Sequence, residues 1–222
     1  MTNNIINKRR PTAFTLITGF AILLQTQTAF GDQIWAMSLD DLLKVRVTSL
    51  ASGTETPLDK AAAVVTVITS DDIAAMGATD IDQALETVPG LHVNRNVQGF
   101  SPNYTFRGIS SQFNPQTLML VNGIPITNLS IGNRSQVWGG MPVQAIARIE
   151  VIRGPGSALY GADAYSGVIN IITKNHDDMK GTKTGFRFGS FDTQAAWLQH
   201  GGSYSGFDLG LSLEYQTTEG WK

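Results

Sequence analysis

The sequence predicts an α+β fold: a small mixed sheet with short helices and long loops, followed by longer antiparallel strands patterned for a membrane. Three observations predict it. Apolar β-forming runs at 64–69, 118–121, 146–152 and 168–173 stand between glycine- and asparagine-rich stretches instead of long helical periods. The pair Asn122-Gly123 separates two apolar runs, and both positions of a two-residue hairpin turn need the positive φ that these residues tolerate. Over 207–215, Phe207, Leu209, Leu211, Leu213 and Tyr215 alternate with Asp208, Gly210, Ser212 and Glu214. Apolar-out, polar-in alternation over about 9–11 residues is the pattern of a transmembrane β-strand. A half-buried strand of a soluble sheet shows the same alternation, and the export signal described next favours the membrane.

Lys8, Arg9 and Arg10 precede an uncharged stretch, 13–24, of the length of a signal-peptide core. Gln25, Thr26, Gln27 and Thr28 then turn the chain polar, which leaves too few apolar residues to span a bilayer as a helix. Ala29 and Gly31 are small residues where a signal peptidase reads them, so a cut before Asp32 is expected. Beyond it, Leu39, Leu42 and Leu43 form one face of a short helix, and Val45, Val47 and Ser49 alternate with Arg46 and Thr48. Ser52, Gly53 and Thr54 read as a flexible joint.

The run at 64–69 leads into Ser70-Asp71-Asp72, a cap with first-turn acids, and Gly77 stops that helix. Thr79 with Asp82 resembles a capping box for a second short helix, ended by Pro89-Gly90. Strands are expected at 91–95 and 104–109, at 118–121 and 124–126 around the Asn-Gly turn, and at 146–152 and 168–173 around a glycine-rich centre. Longer strands follow at 184–191, 194–200 and 207–215.

Composition excludes several functions. Charged residues are 15% of the chain, against roughly 25% in an average soluble domain, and 23 of 222 residues are glycine. A net charge of −2 supplies no basic footprint, so no nucleic acid is expected as a partner. There is no cysteine for a disulfide, thiolate site or nucleophile. The glycines at 154–161 lack the Lys-Ser/Thr that closes a phosphate loop, having Ala162-Asp163 instead. No Gly-x-Ser-x-Gly elbow presents Ser157 or Ser166 as a nucleophile. His92, His176 and His200 are scattered, without a second ligand at metal spacing. No enzyme activity, cofactor or metal is expected.

The segment IARIEVIRGPGSALYGADAYSGVINIITK at 146–174 resembles the signature that closes the plug domain of TonB-dependent receptors. In the same order, 64–72, Gly77-Ala78-Thr79, ALETVPGL at 84–91, Phe106-Arg107-Gly108-Ile109 and 118–123 are similar to earlier segments of that family. The resemblance implies a signal peptide at 1–31, a periplasmic N-terminal segment at 32–56, a plug at 57–176 and the first strands of a truncated transmembrane antiparallel β-barrel at 182–222. It implies a closed barrel of about 22 strands. Because unpaired strand edges do not persist in hydrocarbon, the sequence is expected to be a piece of a longer chain or the product of a broken gene.

The function so implied is energised uptake of a scarce ligand, such as a ferric siderophore, haem or cobalamin, through the outer membrane of a Gram-negative bacterium, with the plug gating the barrel. The implied partners are TonB with the inner-membrane ExbB-ExbD complex, outer-membrane lipid, and a metal chelate or other nutrient. A binding-only surface receptor or adhesin is the alternative. Val45, Arg46, Val47, Thr48 and Ser49 are the candidate TonB box, since alternating β-branched residues before a flexible joint suit strand addition to a partner. The other readings are a first plug strand or linker here, with Glu55-Thr56 as the box. The family places ligand at apical loops, here 96–103, 110–115 and 128–138. Phe100, Phe113 and Trp138 can stack on it, and Gln98, Asn114, Asn133, Arg134 and Gln136 can hydrogen-bond it; the plainer reading is loop packing against the barrel wall. Arg107 and Arg153 match plug arginines that pair with barrel glutamates, a plug-barrel lock, or else they are solvated strand-end charges.

Overall fold

A computed structural model describes residues 47–48, 56–57, 63–95, 101–128, 132, 134 and 140–220. The expected signal peptide, the helix face at Leu39, Leu42 and Leu43, and the joint at 52–54 lie outside them.

The β-branched runs become the core of one mixed sheet. β1 (Val47–Thr48) and β2 (Thr56–Pro57) form a small antiparallel pair. The five-stranded sheet has the order β3-β8-β9-β6-β7, built from β3 (Val65–Thr69), β6 (Thr117–Val121), β7 (Ile124–Pro125), β8 (Ile146–Arg153) and β9 (Gly167–Thr173). β6 pairs with β9 in parallel and the other neighbours are antiparallel. β4 (Leu91–Arg95) and β5 (Pro102–Phe106) form a separate hairpin.

Both faces of the sheet are covered, which is why apolar residues of β6, β8 and β9 follow one another on both faces instead of strictly alternating, with Glu150 and Asn170 buried among them. On one face Ile68, Ile149, Val151, Ile169 and Met119 pack against Ile73, Ile81, Leu85, Tyr104 and Phe106. These come from α1 (Ser70–Ala75), α2 (Ile81–Leu85) and the β4–β5 hairpin. On the other, Val65, Val67, Leu118, Leu120, Ile152 and Val168 meet Ala164. Each such side chain contributes about 1.5–3 kcal/mol by leaving water.

Local chemistry sets the element ends, in three places one or more residues from where the sequence put them. The cap of α1 is Thr69, not Ser70: Thr69 Oγ1 accepts from Asp72 N at 3.1 Å while Asp72 Oδ2 accepts from Thr69 N at 2.9 Å, the reciprocal spacing that Thr69 alone offers. Gly77 closes the helix as expected, with φ 68° and the paired bonds Gly77 N→Ala74 O and Ala78 N→Ile73 O. The cap of α2 is Asp80, accepting from Gln83 N at 2.9 Å, not Thr79. Asp82 is drawn into tertiary contacts, accepting from Tyr104 OH at 2.7 Å and facing Arg95 at 3.1 Å. β5 ends at Phe106 instead of running to 109, because Arg107 and Gly108 are left-handed, φ 49° and 84°. They close a turn with Ile109 N→Phe106 O at 2.8 Å.

The glycine-rich centre folds into α3 (Ser157–Tyr160) and a 3-10 turn, Ala162–Ala164. Its glycines serve close packing. A Cβ on Gly156 would stand 2.6 Å from Val168 Cγ2, and one on Gly167 would stand 2.8 Å from Phe106 Cζ. A second 3-10 turn, Val143–Ala145, leads into β8.

β10 (Gly181–Gly189), β11 (Thr193–Tyr204) and β12 (Phe207–Thr217) form an antiparallel meander. Their register puts Phe186, Ala196 and Tyr215 on one face with Leu198 and Leu213, and Gly185, Trp197 and Glu214 on the other. Phe186 and Phe188 are 77% and 78% exposed. The opposite face is carved by glycines. Trp197 covers Gly185, where a Cβ would stand 2.3 Å from its ring, and a Cβ on Gly201 would stand 2.6 Å from His176 O. The chain leaving β9 is thereby docked on β11, with Met179 buried.

The exposed apolar face and the free outer edges of β10 and β12 have a solution consequence. The fragment 50–174 is expected to stay soluble, whereas 50–222 aggregates through unpaired edges. Equal sedimentation of the two fragments would contradict the lipid-facing assignment.

Candidate functional site

Of the candidate coupling residues, only Val47 and Thr48 lie within the described residues, and Val45, Arg46, Ser49 and Glu55 lie outside them. Val47 opposes Pro57 and Thr48 opposes Thr56, an antiparallel ladder of two residues on each side. So short a ladder offers few backbone bonds to hold it.

Arg107 and Arg153 come from β5's terminal turn and from the end of β8, and both reach the Pro89-Gly90 corner. Arg107 N donates to Gly90 O at 2.8 Å, and its Nη1 lies 4.0 Å from the Cβ position of Gly154. Arg153 Nη1 contacts Pro89 O at 3.5 Å, and its Nε is buried without a partner. Neither guanidinium has a carboxylate partner among the described residues. The sequence placed Arg107 at a strand end; its left-handed turn is what carries it to this corner, beside Arg153's own contact there.

The loop residues divide. Phe113 is 46% exposed and available to a ligand. Asn114 is not: it is fully buried at φ 52°, its Oδ1 accepting from Tyr104 N at 2.9 Å and its Nδ2 donating to Pro102 O at 3.0 Å. Arg134 is also buried and internally satisfied, correcting its assignment to the ligand face. It donates to Thr127 Oγ1 at 3.2 Å and Pro115 O at 2.6 Å, and pairs with Asp163 at 2.6 Å. Asn114 ties its loop to β5 and Arg134 ties three connecting segments together, because a buried polar group must be paired. Gln98, Phe100, Asn133, Gln136 and Trp138 lie outside the described residues.

The histidines stay dispersed. His92 meets Glu86 at 2.6 Å, His176 lies 3.6 Å from Asp208, and His200 bonds Thr182 at 2.8 Å. Burial pushes the Glu86 carboxyl up, but the Val93 amide and His92 outweigh it and hold it below the usual value. No cluster of three metal-ligating side chains occurs among the described residues.

A mixed-sheet domain whose chain continues into strands with an exposed apolar face and a polar, domain-facing side is the arrangement of a plugged β-barrel. The family described as TonB-dependent Receptor Plug Domain matches residues 57–168, half of the chain. The chain is 35% identical over 175 residues to the vitamin B12 transporter BtuB of Vibrio vulnificus, covering 75% of this chain and 27% of that one. It is 40% identical over 130 residues to the iron-regulated outer membrane virulence protein of Vibrio cholerae, covering 56% and 19%. The pyoverdine outer membrane receptor FpvA of Pseudomonas aeruginosa, solved with pyoverdine bound, shares the fold with a TM-score of 0.62 at 24% identity, over 78% of this chain and 24% of its own. The chain spans roughly a quarter or less of the length of these relatives. It belongs to the TonB-dependent receptor family, with a plug fold followed by antiparallel barrel strands.

The two loop neighbours Phe113 and Asn114 should separate by role. In fragment 50–174, Asn114→Ala strands two buried backbone groups and is expected to cost about 1–3 kcal/mol in urea unfolding. Phe113→Ala should change stability by under about 0.5 kcal/mol. Equal costs would put Asn114 back on the ligand face.

Proposed function

We propose that the whole protein is a TonB-dependent uptake receptor of a Gram-negative outer membrane, exported with residues 1–31 removed. In this reading residues 32–56 couple to TonB, 57–176 form the plug, and 182–222 open the barrel. The single observation that carries the reading is the continuity of the plug sheet into membrane-patterned strands. The outer membrane holds no ATP, so uphill import needs work delivered from the inner membrane by TonB with ExbB-ExbD. BtuB is a vitamin B12 transporter and FpvA a pyoverdine receptor by name, and the cargo here is of that kind, a scarce chelate or cofactor of metal.

The candidate coupling strand fits displacement. Its two-residue ladder gives little to break before TonB supplies a longer one by strand addition. The corner shared by Arg107 and Arg153 supports a lock. Two cations without a carboxylate partner among the described residues suit barrel carboxylates, whose removal from a shielded pair costs roughly 3–5 kcal/mol.

Val47→Pro in the full-length receptor removes a ladder donor and is expected to abolish uptake of cargo with its binding retained. In single-molecule pulling from the N-terminus, Arg107→Met with Arg153→Met should lower the force that unfolds the plug. Uptake unaffected by Val47→Pro would put the coupling segment elsewhere, binding without any uptake by the unsubstituted receptor would favour the binding-only reading, and an unchanged force would make both arginines plain surface charges.

A further inference from the structure

Between α1 and the polar face of β10 and β11 lies a cleft of about 350 Å³. Lys174, Lys183 and Arg187 line it with a single carboxylate, Asp71, while Trp197 and Gln199 form its floor on β11. Neither lysine makes an ion pair among the described residues. Arg187 spends its Nη2 on Glu214 and Gln216, both at 3.2 Å, but its Nε is buried with no partner. Burial pushes the half-buried Lys174 amine below its usual value and Lys183 pushes it the same way, while Asp178 and Asp71 pull it back. Three cations are therefore gathered around one hollow; Glu214 engages Arg187 from outside the lining and Asp178 acts on Lys174, but neither lysine is held in an ion pair among the described residues.

We propose that this cleft is an oxyanion-binding site, taking a small ligand that carries carboxylate or phosphate groups. Its volume is at the low end of ligand pockets, which run from about 300 to 1,000 Å³, so it suits a tricarboxylate or a pyrophosphate and is too small for a macrocycle. Lysines supply mobile point charges and Arg187 a fixed donor edge, a pairing that holds oxyanions of either kind. The site lies against the plug's own helix, away from the loop bearing Phe113. A bound anion bridges α1 to β10 and β11, so it stabilises the plug in its seat.

The test uses the full-length receptor in neutral detergent, titrated calorimetrically with citrate, with inorganic pyrophosphate, and with chloride at matched ionic strength. Binding of citrate alone assigns a carboxylate ligand, binding of pyrophosphate alone a phosphate ligand, and either outcome supports the site. The double variant Lys174→Gln, Lys183→Gln should weaken binding at least about tenfold, a loss of roughly 1.4 kcal/mol. Lys183→Glu, at an exposed strand position that tolerates the change, should abolish it, and Lys180→Gln, outside the cleft, should leave it intact. The proposal is overturned if neither polyanion binds more tightly than chloride, or if Lys180→Gln weakens binding as much as the double variant. Because the readout is binding, loss of TonB-coupled uptake with anion binding retained would refute the function proposed above and leave this site standing.

Discussion

Strand β9 has to lie between β8 and β6, antiparallel to one and parallel to the other, and the chain that joins β8 to β9 has to fold flat against the sheet to let this happen. Two glycines make that possible. At Gly156 and Gly167 a side chain would collide with Val168 at 2.6 Å and with Phe106 at 2.8 Å, so the crossover packs where no other residue fits. Through the same contact Phe106 is seated, the Arg107 turn follows from it, and the Pro89-Gly90 corner receives both arginines. A motif that looks like a phosphate loop in one dimension is thus a packing device. Overpacking of such a site typically costs 1–3 kcal/mol or more, and here it would also displace the candidate lock.

The plug and the strands after it obey different solvents. The sheet's central strands are buried on both faces, while β10 to β12 expose Phe186, Phe188 and Tyr215 on one side and keep Lys183, Arg187 and Gln199 on the other. The two parts meet through small contacts: Gly201 under the chain leaving β9, Gln199 Nε2 donating to Gln144 O, and the cationic cleft. An interface made of polar groups and a hollow resists sliding less than an apolar core does. That is what the proposed uptake function asks of a plug.

What was legible in the sequence follows from how local its cause is. Asn122 and Gly123 were readable because positive φ at both positions, 51° and 78°, is a property of those two residues. The alternation along β12 was readable because period two needs no partner to interpret. Helix caps shift by one residue, since Thr69, Ser70, Thr79 and Asp80 are all good caps: the reach of Asp72 back to Thr69 N decides the first, and Asp80 accepting from Gln83 N decides the second. Asn114 and Arg134 read as ligand candidates in the sequence because a polar residue in a loop looks solvated until the fold closes over it, as it does over both. Asp163, which pairs with Arg134, stands out in the sequence only as a departure from a phosphate loop. The cleft was invisible for a related reason: Lys174, Lys183 and Arg187 come together only when β10 docks beside α1.

A doubly covered sheet carries the candidate coupling strand, latched by a ladder of two residues on each side. Hydrogen exchange on the full-length receptor, resolved to single amides, addresses that latch directly. Amides of Ile149, Val151, Ile169 and Ile171 should be the slowest to exchange in the plug, and those of Val47 and Thr48 at least about 100-fold faster, since opening free energies span from near zero at the ends to the global value in core strands. Protection of Val47 and Thr48 equal to that of β8 and β9 would contradict the account, because a strand held as firmly as the core could not be handed to a partner.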